Sequence, residues 1–198
     1  MTTPGPYDVD AASRDIHTVV IGLAESLDED QLRWRPDDFA TSIGFHLWHL
    51  GRESDYLRSA LVARFDELGL EVGPDWGPTT ELWMRQDLAA RWGFPAEVAT
   101  AVGTGLTDEI ASTLPIPAKA EVLAYLRGSY AELEAFVERL DGRFPAGTDI
   151  PDADLARRLG TVRINVLNFL THDCRHLGMM EVLKGLQTGF GSATETRP

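Results

Sequence analysis

Four of the five histidines lie in two short stretches of helical sequence, at spacings that could bind a metal ion. The stretches are FHLWHL, with His46 and His49, and THDCRH, with His172 and His176. Residues four apart lie about 40° apart on one face of an α-helix, where two imidazoles can bind a single ion. We therefore predict that His172 and His176 contribute two ligands to a metal site. The alternative is a pair of ordinary surface or core histidines.

The residues in line with this pair favour the metal interpretation. Polar side chains occupy positions of the stripe where a buried helix face would carry Leu, and an unpaired buried polar group costs roughly 1 to 3 kcal/mol. A metal-centred pocket would give these side chains partners. The stripe consists of Asn165, Asn168, His172, His176, Met179 and Leu183.

A third ligand is expected from the helix that contains the other pair. His46, His49 and Glu53 share one face by the same three-and-four spacing, so either histidine could complete the set. Metal-bound histidines usually donate their second ring N–H to a carboxylate or a carbonyl. Glu53, Asp55 and Asp173 are near enough in sequence, and Glu53 is the first choice because it faces the same way as His49. The alternative for Glu53 is a solvated acid on the helix surface.

The charge balance restricts the partners. Acidic residues outnumber basic ones by 31 to 18, which gives a formal net charge of −13. Proteins that bind nucleic acids or anionic membranes need clustered Lys and Arg, so we expect neither partner. No stretch approaches the roughly 18 uninterrupted apolar residues of a membrane span, and the N-terminus lacks a secretory signal pattern. We therefore expect a cytoplasmic protein.

Cys174 is the single cysteine, which excludes an intrachain disulfide and a cysteine-based zinc site. Helical geometry points it roughly 160° to 200° away from His172 and His176. We predict that Cys174 is an inert helix residue, neither a ligand nor a nucleophile. Any metal would then be bound by histidines and carboxylates.

Helical patterns separated by Pro- and Gly-rich connectors predict the architecture. No alternating strand pattern stands out, so we predict an all-α four-helix bundle that forms one domain over residues 1–198. Between the second and third long helices, residues 68–117 are predicted to form a long excursion with short helices. The third long helix should bury one apolar stripe in the core, formed by Leu123, Leu126, Tyr130, Leu133, Phe136 and Leu140. The four long patterns cover about residues 8–26, 42–65, 118–140 and 153–187.

Two interpretations are possible for the basic side chains near the histidines and for the tryptophans. Arg52 and Arg175 flank the predicted ligands and could bind a substrate carboxylate, or could form surface ion pairs. The tryptophans could line a pocket, but packing in the core is the interpretation we favour. They are Trp34, Trp48, Trp76, Trp83 and Trp92.

Three segments carry a resemblance that spans nearly the whole chain: LRWRP, SIGFHLWHLGR and LTHDCRHLGMMEVLKGLQTGFGSAT. The sequence resembles the DinB-like superfamily of helical-bundle metalloproteins, which includes mycothiol-dependent maleylpyruvate isomerases and bacillithiol or mycothiol S-transferases. In that family one histidine comes from the second helix and a His-x-x-x-His pair from the last. The resemblance therefore implies His49, His172 and His176 as metal ligands, with His46 supporting them or lining a pocket. It also implies a homodimer.

Three neutral imidazoles would leave one coordination position open, which is typical of catalytic rather than structural zinc. Zinc is the metal we expect, with nickel, manganese and iron as alternatives. Such an ion can lower the pKa of a bound water or thiol. The resemblance implies a thiol-dependent transferase or isomerase that acts on a small molecule with mycothiol or bacillithiol as co-substrate. The alternatives are a non-catalytic metal- or small-ligand-binding stress-response module and a three-histidine iron site for oxidative sulfur chemistry.

Overall fold

The computed structural model describes residues 9–67, 76–145 and 149–189. Within these ranges the regular elements are helices, and no strand occurs. The predicted all-α fold is therefore confirmed. The helices are α1 Val9–Glu25, α2 Glu29–Arg33, α3 Ile43–Glu67, α4 Leu82–Arg85, α5 Leu88–Trp92, α6 Asp108–Ala111, α7 Lys119–Arg143 and α8 Ala153–Thr188.

The four long helices form the bundle. The most extensive contact is between α3 and α7, while α1 packs on both α7 and α8, and α8 also packs on α3. The predicted inward stripe of α7 is buried throughout, from Leu123 to Leu140. The contact between α3 and α8 matters most for function, because these two helices contain the paired histidines.

Tryptophans fill the core, as the packing interpretation predicts. Trp48 and Trp83 are fully buried, and their rings meet edge to face at 6.2 Å. Trp76 stacks on Phe65 in a second apolar cluster at the other end of the bundle. Burying aromatic rings of this size stabilises the bundle by excluding their large apolar surfaces from water.

Two connectors differ from the sequence prediction. Residues 27–41 were expected to form a simple connector, but they contain α2, which begins with a capping box between Asp28 and Gln31. The pattern of ELWMRQDLAARWG predicts one short amphipathic helix, but the structure has two, α4 and α5. Asp87 separates them with a left-handed backbone, at φ 50°. Ser42, a residue type favoured at helix N-caps, caps α3, and its hydroxyl accepts a hydrogen bond from the Phe45 N–H at 3.2 Å.

The excursion between α3 and α7 is anchored to the bundle by Asp55, a fully buried residue of α3. Its carboxylate accepts hydrogen bonds from the backbone N–H groups of Leu82 and Trp83, each at 2.8 Å, and from the Tyr125 hydroxyl at 3.2 Å. Residues 68–75 of the predicted excursion lie outside the described residues. In the part of the chain that the structure describes, no helix is long and apolar enough to cross a membrane.

Candidate metal centre

Packing of α8 against α3 brings three of the predicted site residues together. His49 on α3 and His172 and His176 on α8 each offer a ring nitrogen, and these atoms lie within 4.8 Å of one another. His49 is buried, whereas the other two are partly exposed. The cluster is the one expected from the resemblance. That these rings bind a metal remains a prediction.

The orientation of His49 is fixed by the excursion. Its Nδ1 donates a hydrogen bond to the carbonyl oxygen of Val102 at 2.6 Å. Because the ring proton is then on Nδ1, the Nε2 lone pair is free to bind a metal. That Nε2 lies 3.1 Å from the Nε2 of His172. The partner of His49 is thus a backbone carbonyl rather than Glu53, whose carboxylate instead accepts a hydrogen bond from the Thr104 hydroxyl at 2.6 Å.

Arg52 holds the excursion segment that carries the Val102 carbonyl. Its Nε donates to the carbonyl of Ala101 at 3.0 Å and its Nη2 to that of Thr100 at 3.2 Å. Nη1 pairs with Glu81 at 2.5 Å, and the Arg52 side chain is fully buried. Arg52 is therefore a structural clamp, which corrects the suggestion that it could bind a substrate carboxylate.

His172 has a buried ring nitrogen that faces a carboxylate. Its Nδ1 lies 3.7 Å from Oδ1 of Asp173. Neither atom has a hydrogen-bond partner among the described residues, although both are shielded from solvent. Buried polar atoms are normally paired, so this unmade contact calls for an explanation.

His46 contacts the cluster from the side. Its Nδ1 lies 2.9 Å from the Nδ1 of His176, and its Nε2 lies 3.2 Å from the Thr41 hydroxyl. One of the two facing nitrogens donates the shared hydrogen bond and the other accepts it. His46 thus supports His176 and also lines a cleft, which are the two roles that the resemblance implied for it.

The surroundings favour the neutral form of the His46, His49 and His176 rings. Burial lowers the pKa of His46 to about 4, with a further contribution from His49. Burial, together with the neighbouring histidines, lowers the pKa of His176 to about 3. The pKa of His49 is also lowered, chiefly by burial. Neutral imidazoles offer the lone pairs that a metal needs.

The geometry between His49 and His172 fits a metal ion. Their Nε2 atoms are 3.1 Å apart, less than twice the usual zinc–nitrogen bond of about 2.0–2.1 Å. Without an ion, a proton on the His172 Nε2 would leave its Nδ1 lone pair facing the Asp173 carboxylate. An ion at Nε2 places that proton on Nδ1, where it can be donated to Asp173. A cation bound at Nε2 would therefore account for the unmade contact.

A cleft of about 700 Å³ opens beside the cluster, between α8 and the loop before α3. Its wall is mostly apolar, and Arg175 contributes a guanidinium for which the structure gives no ion pair among the described residues. His46 is the residue that separates the cleft from His176. The lining residues are Asp37, Phe39, Ala40, Thr41, His46, Asp108, Arg175, Gly178, Met179, Val182 and Leu183.

The predicted polar stripe of α8 is only partly correct. Asn168 and Met179 are exposed to solvent, so neither occupies a position in the core. The buried face is rotated toward Asp173, which is 2% exposed. Cys174 is exposed, in agreement with its predicted direction away from the site. The buried residues of α8 are Leu159, Val162, Val166, Asp173, Met180 and Leu183.

The helical bundle and the three imidazoles that converge from α3 and α8 define an all-α protein with a candidate metal centre. The family model of the DinB superfamily matches residues 15–180, a range that includes all three histidines of the cluster. The chain therefore belongs to the DinB superfamily. No curated protein sequence matches the chain.

Proposed function

We propose that the protein is a divalent-metal-dependent transferase or isomerase that uses a low-molecular-weight thiol as co-substrate. The observation that carries the proposal is the convergence of three imidazoles beside a cleft large enough for a small molecule. Sites that bind small molecules typically have volumes of about 300 to 1,000 Å³ and mostly apolar walls with a few polar groups. The thiol and the type of reaction are inferred from the resemblance to thiol-dependent members of the superfamily.

In this proposal the chain binds the ion and orients its ligands. His49, His172 and His176 hold the ion, and the Val102 carbonyl fixes the ring of His49. A bound divalent ion would supply a Lewis acid that lowers the pKa of a thiol in the open position. The attacking thiol has to come from a co-substrate, because Cys174 is exposed on the opposite side of α8. Mycothiol is the co-substrate we favour, and bacillithiol is the alternative.

The cleft would bind the substrate. Phe39 and Met179 offer apolar contacts, and Arg175 offers a positive charge for an anionic group such as a carboxylate. Three imidazoles with one open position suit zinc best, while nickel, manganese or iron can bind the same donor set. A three-histidine iron site for oxidative sulfur chemistry is the option we rank last.

A non-catalytic metal- or small-ligand-binding module, acting in a stress response, is the second candidate. The observation that favours it is the burial of His49 and His46, each 4% exposed, which restricts access to the cluster. This candidate predicts metal binding without turnover. A homodimer, a cytoplasmic location and a single domain over residues 1–198 remain predictions under either candidate.

Elemental analysis of protein purified without a metal-affinity tag tests the metal site directly. We expect stoichiometric metal in the wild type and its loss in His49→Ala and His176→Ala. Asn168→Ala is the matched control, because Asn168 lies one turn before His172 on the exposed side of α8. Metal that stays bound in both histidine variants would contradict the proposed ligand set.

Turnover separates the two candidates. Protein loaded with zinc, nickel or manganese is assayed with mycothiol and bacillithiol against electrophilic small molecules, and formation of the thioether conjugate is followed. The enzyme proposal expects turnover that disappears in His49→Ala and persists in Asn168→Ala. Stoichiometric metal with no reaction for any thiol would favour the non-catalytic module.

A further inference from the structure

A row of buried and partly buried polar side chains lies behind His172. His17 on α1 is 3% exposed, and its Nδ1 lies 2.5 Å from Oε1 of Glu134 on α7. Its Nε2 lies 3.3 Å from Oδ2 of Asp173 on α8. The row therefore continues from Glu134 through His17 and Asp173 toward His172, and it joins three of the four long helices.

Each member of the row is held in one orientation. The His17 ring stacks on Tyr130 with 3.6 Å between ring centroids and 8° between planes, so it cannot turn away from the carboxylates. Asp173 has one oxygen near His17, and its other oxygen is the unpartnered atom that faces the Nδ1 of His172. The carboxylate is thereby aimed at a ring that is a proposed metal ligand.

An interior built only for packing would not need this arrangement. Polar and charged groups cost free energy when they leave water, and apolar residues of similar volume would fill the same space without that cost. His17 also interrupts the mostly apolar inner face of α1, which includes Val20 and Leu23 as well as the small polar Ser13. The row ends at the Nδ1 of His172, the buried ring nitrogen of the cluster that has no hydrogen-bond partner among the described residues.

We propose that Asp173, held in place by His17 and Glu134, is the positioning residue that orients His172 and keeps its Nε2 available for the metal. Acceptance of the Nδ1–H by Asp173 selects the tautomer with a free Nε2 lone pair and fixes the angle of the ring. His17 acts through Asp173 and Glu134 acts through His17. The inference rests on the proposed metal site and is independent of any thiol chemistry.

Two substitutions of His17 separate positioning from simple packing. The amide of Gln reaches about as far as the Nε2 of His, so His17→Gln can still donate to Asp173. The amide of Asn reaches only about as far as Nδ1, so His17→Asn keeps a group near Glu134 and leaves Asp173 without its partner. Asp173→Asn removes the charge that accepts the proton of His172. Glu138→Gln is the control, because Glu138 lies one turn beyond Glu134 and is exposed. It pairs with Arg14, which also contacts Glu134, but not with His17.

The readouts are the Kd for Zn²⁺, measured by competition with a chromophoric chelator, and the visible spectrum of the Co²⁺-loaded protein. Loss of such supporting partners typically weakens metal binding about 10- to 100-fold. We expect a rise of that size in Kd for Asp173→Asn and His17→Asn, with an altered Co²⁺ spectrum. His17→Gln should largely restore both, and Glu138→Gln should match the wild type. Circular dichroism checks that every variant is folded.

Folded Asp173→Asn and His17→Asn proteins with wild-type Kd and spectrum would overturn the inference. Equal losses in His17→Gln and His17→Asn would also overturn it, since they would indicate packing rather than a directed hydrogen bond. Absence of Zn²⁺ binding in the wild type would remove the metal site and this inference together. Wild-type metal binding that depends on Asp173, without any thiol turnover, would support the inference and contradict the proposed enzyme.

Discussion

The Nδ1 of His49 and the carbonyl oxygen of Val102 form a hydrogen bond of 2.6 Å between α3 and the excursion. The next residue, Gly103, has a φ of +109° and packs its Cα against the same imidazole ring. A Cβ at this position would overlap the Nδ1 of His49. The segment that fixes the tautomer of His49 therefore also requires glycine for contact and conformation.

Gly103→Ala is expected to weaken metal binding as well as stability. The left-handed backbone costs roughly 1 to 3 kcal/mol for a residue with a Cβ, and the new methyl group displaces the His49 ring. We expect a lower midpoint in urea unfolding and a weaker Kd for Zn²⁺, measured by chelator competition.

Gly105→Ala is the matched control for that experiment. Gly105 also has a positive φ, +85°, but a Cβ there meets no atom within 4 Å. It should lose stability from backbone strain while its Zn²⁺ Kd stays at the wild-type value. Equal Zn²⁺ affinities in the two alanine variants would contradict the proposed role of Gly103 against His49.

The sequence predicted the bundle and the histidine cluster because both follow from local periodicity. The spacing of His172 and His176 and the inward stripe of α7 are properties of single helices, and the structure retains them. Ser42 was recognisable as a cap for the same reason. The choice of His49 over His46 came from the resemblance, since both lie on the same face of α3.

The supporting partners could not be predicted in this way, because they come from distant parts of the chain. The Val102 carbonyl lies 53 residues from His49. Every residue has a backbone carbonyl, so the identity of residue 102 does not indicate that it is an acceptor. Glu134 lies 117 residues from His17 on another helix. The one usable signal was His17 itself, a lone histidine within an apolar helix face. The expected role of Asn168 failed because its position on the stripe lies just outside the buried arc of α8.

Arg52→Met should loosen the excursion and, through Val102, the orientation of His49. The substitution keeps much of the side-chain volume but removes the donors to Thr100 and Ala101 and leaves Glu81 without its partner. Removing one member of a buried ion pair typically costs about 3–5 kcal/mol. We expect a loss of stability of that order and faster hydrogen exchange in residues 99–103.

Arg85→Met provides the comparison for Arg52→Met. Arg85 also pairs with a glutamate, Glu132, but it is partly exposed and lies outside the segment that holds Val102. Exposed ion pairs contribute only about 0–1 kcal/mol, so this variant should remain close to the wild type in stability and exchange. Unchanged exchange of residues 99–103 in Arg52→Met would contradict the clamp.

Acidification should destabilise the metal-free protein between about pH 6.5 and the folded-state pKa values. Burial lowers the pKa of His46 to about 4 and that of His176 to about 3, whereas unfolded histidines titrate near 6.5. Below about pH 6.5 the unfolded chain therefore binds more protons than the folded protein does. The free energy of unfolding should decrease as the pH is lowered through this range. Each such histidine adds up to about 1.4 kcal/mol per pH unit to this slope. Urea unfolding from pH 4.5 to 7.5 in the presence of a chelator measures it.

His46→Gln isolates one part of that dependence. Glutamine keeps a polar group beside His176 but takes up no proton. The number of protons taken up on unfolding between pH 4.5 and 6.5, which sets the slope of stability against pH, should therefore decrease by about one. Above about pH 7 both proteins should show little dependence from this source. An identical slope in the two proteins would mean that His46 is protonated to the same extent in the folded and unfolded states.

The outer face of α8 is expected to form the contact between subunits of the proposed homodimer. Val182 and Leu186 lie four residues apart on this face and are 63% and 62% exposed. Val182 also lines the cleft, so a subunit contact here would border the proposed substrate site. Exposed apolar surfaces of this kind often mark interfaces.

Glutamates at Val182 and Leu186 would bring like charges together across a two-fold contact, so the double variant should be monomeric by light scattering at concentrations where the wild type is dimeric. Val19→Glu, at an exposed apolar position on α1, should leave the mass unchanged. A double variant with the wild-type mass would move the interface away from α8.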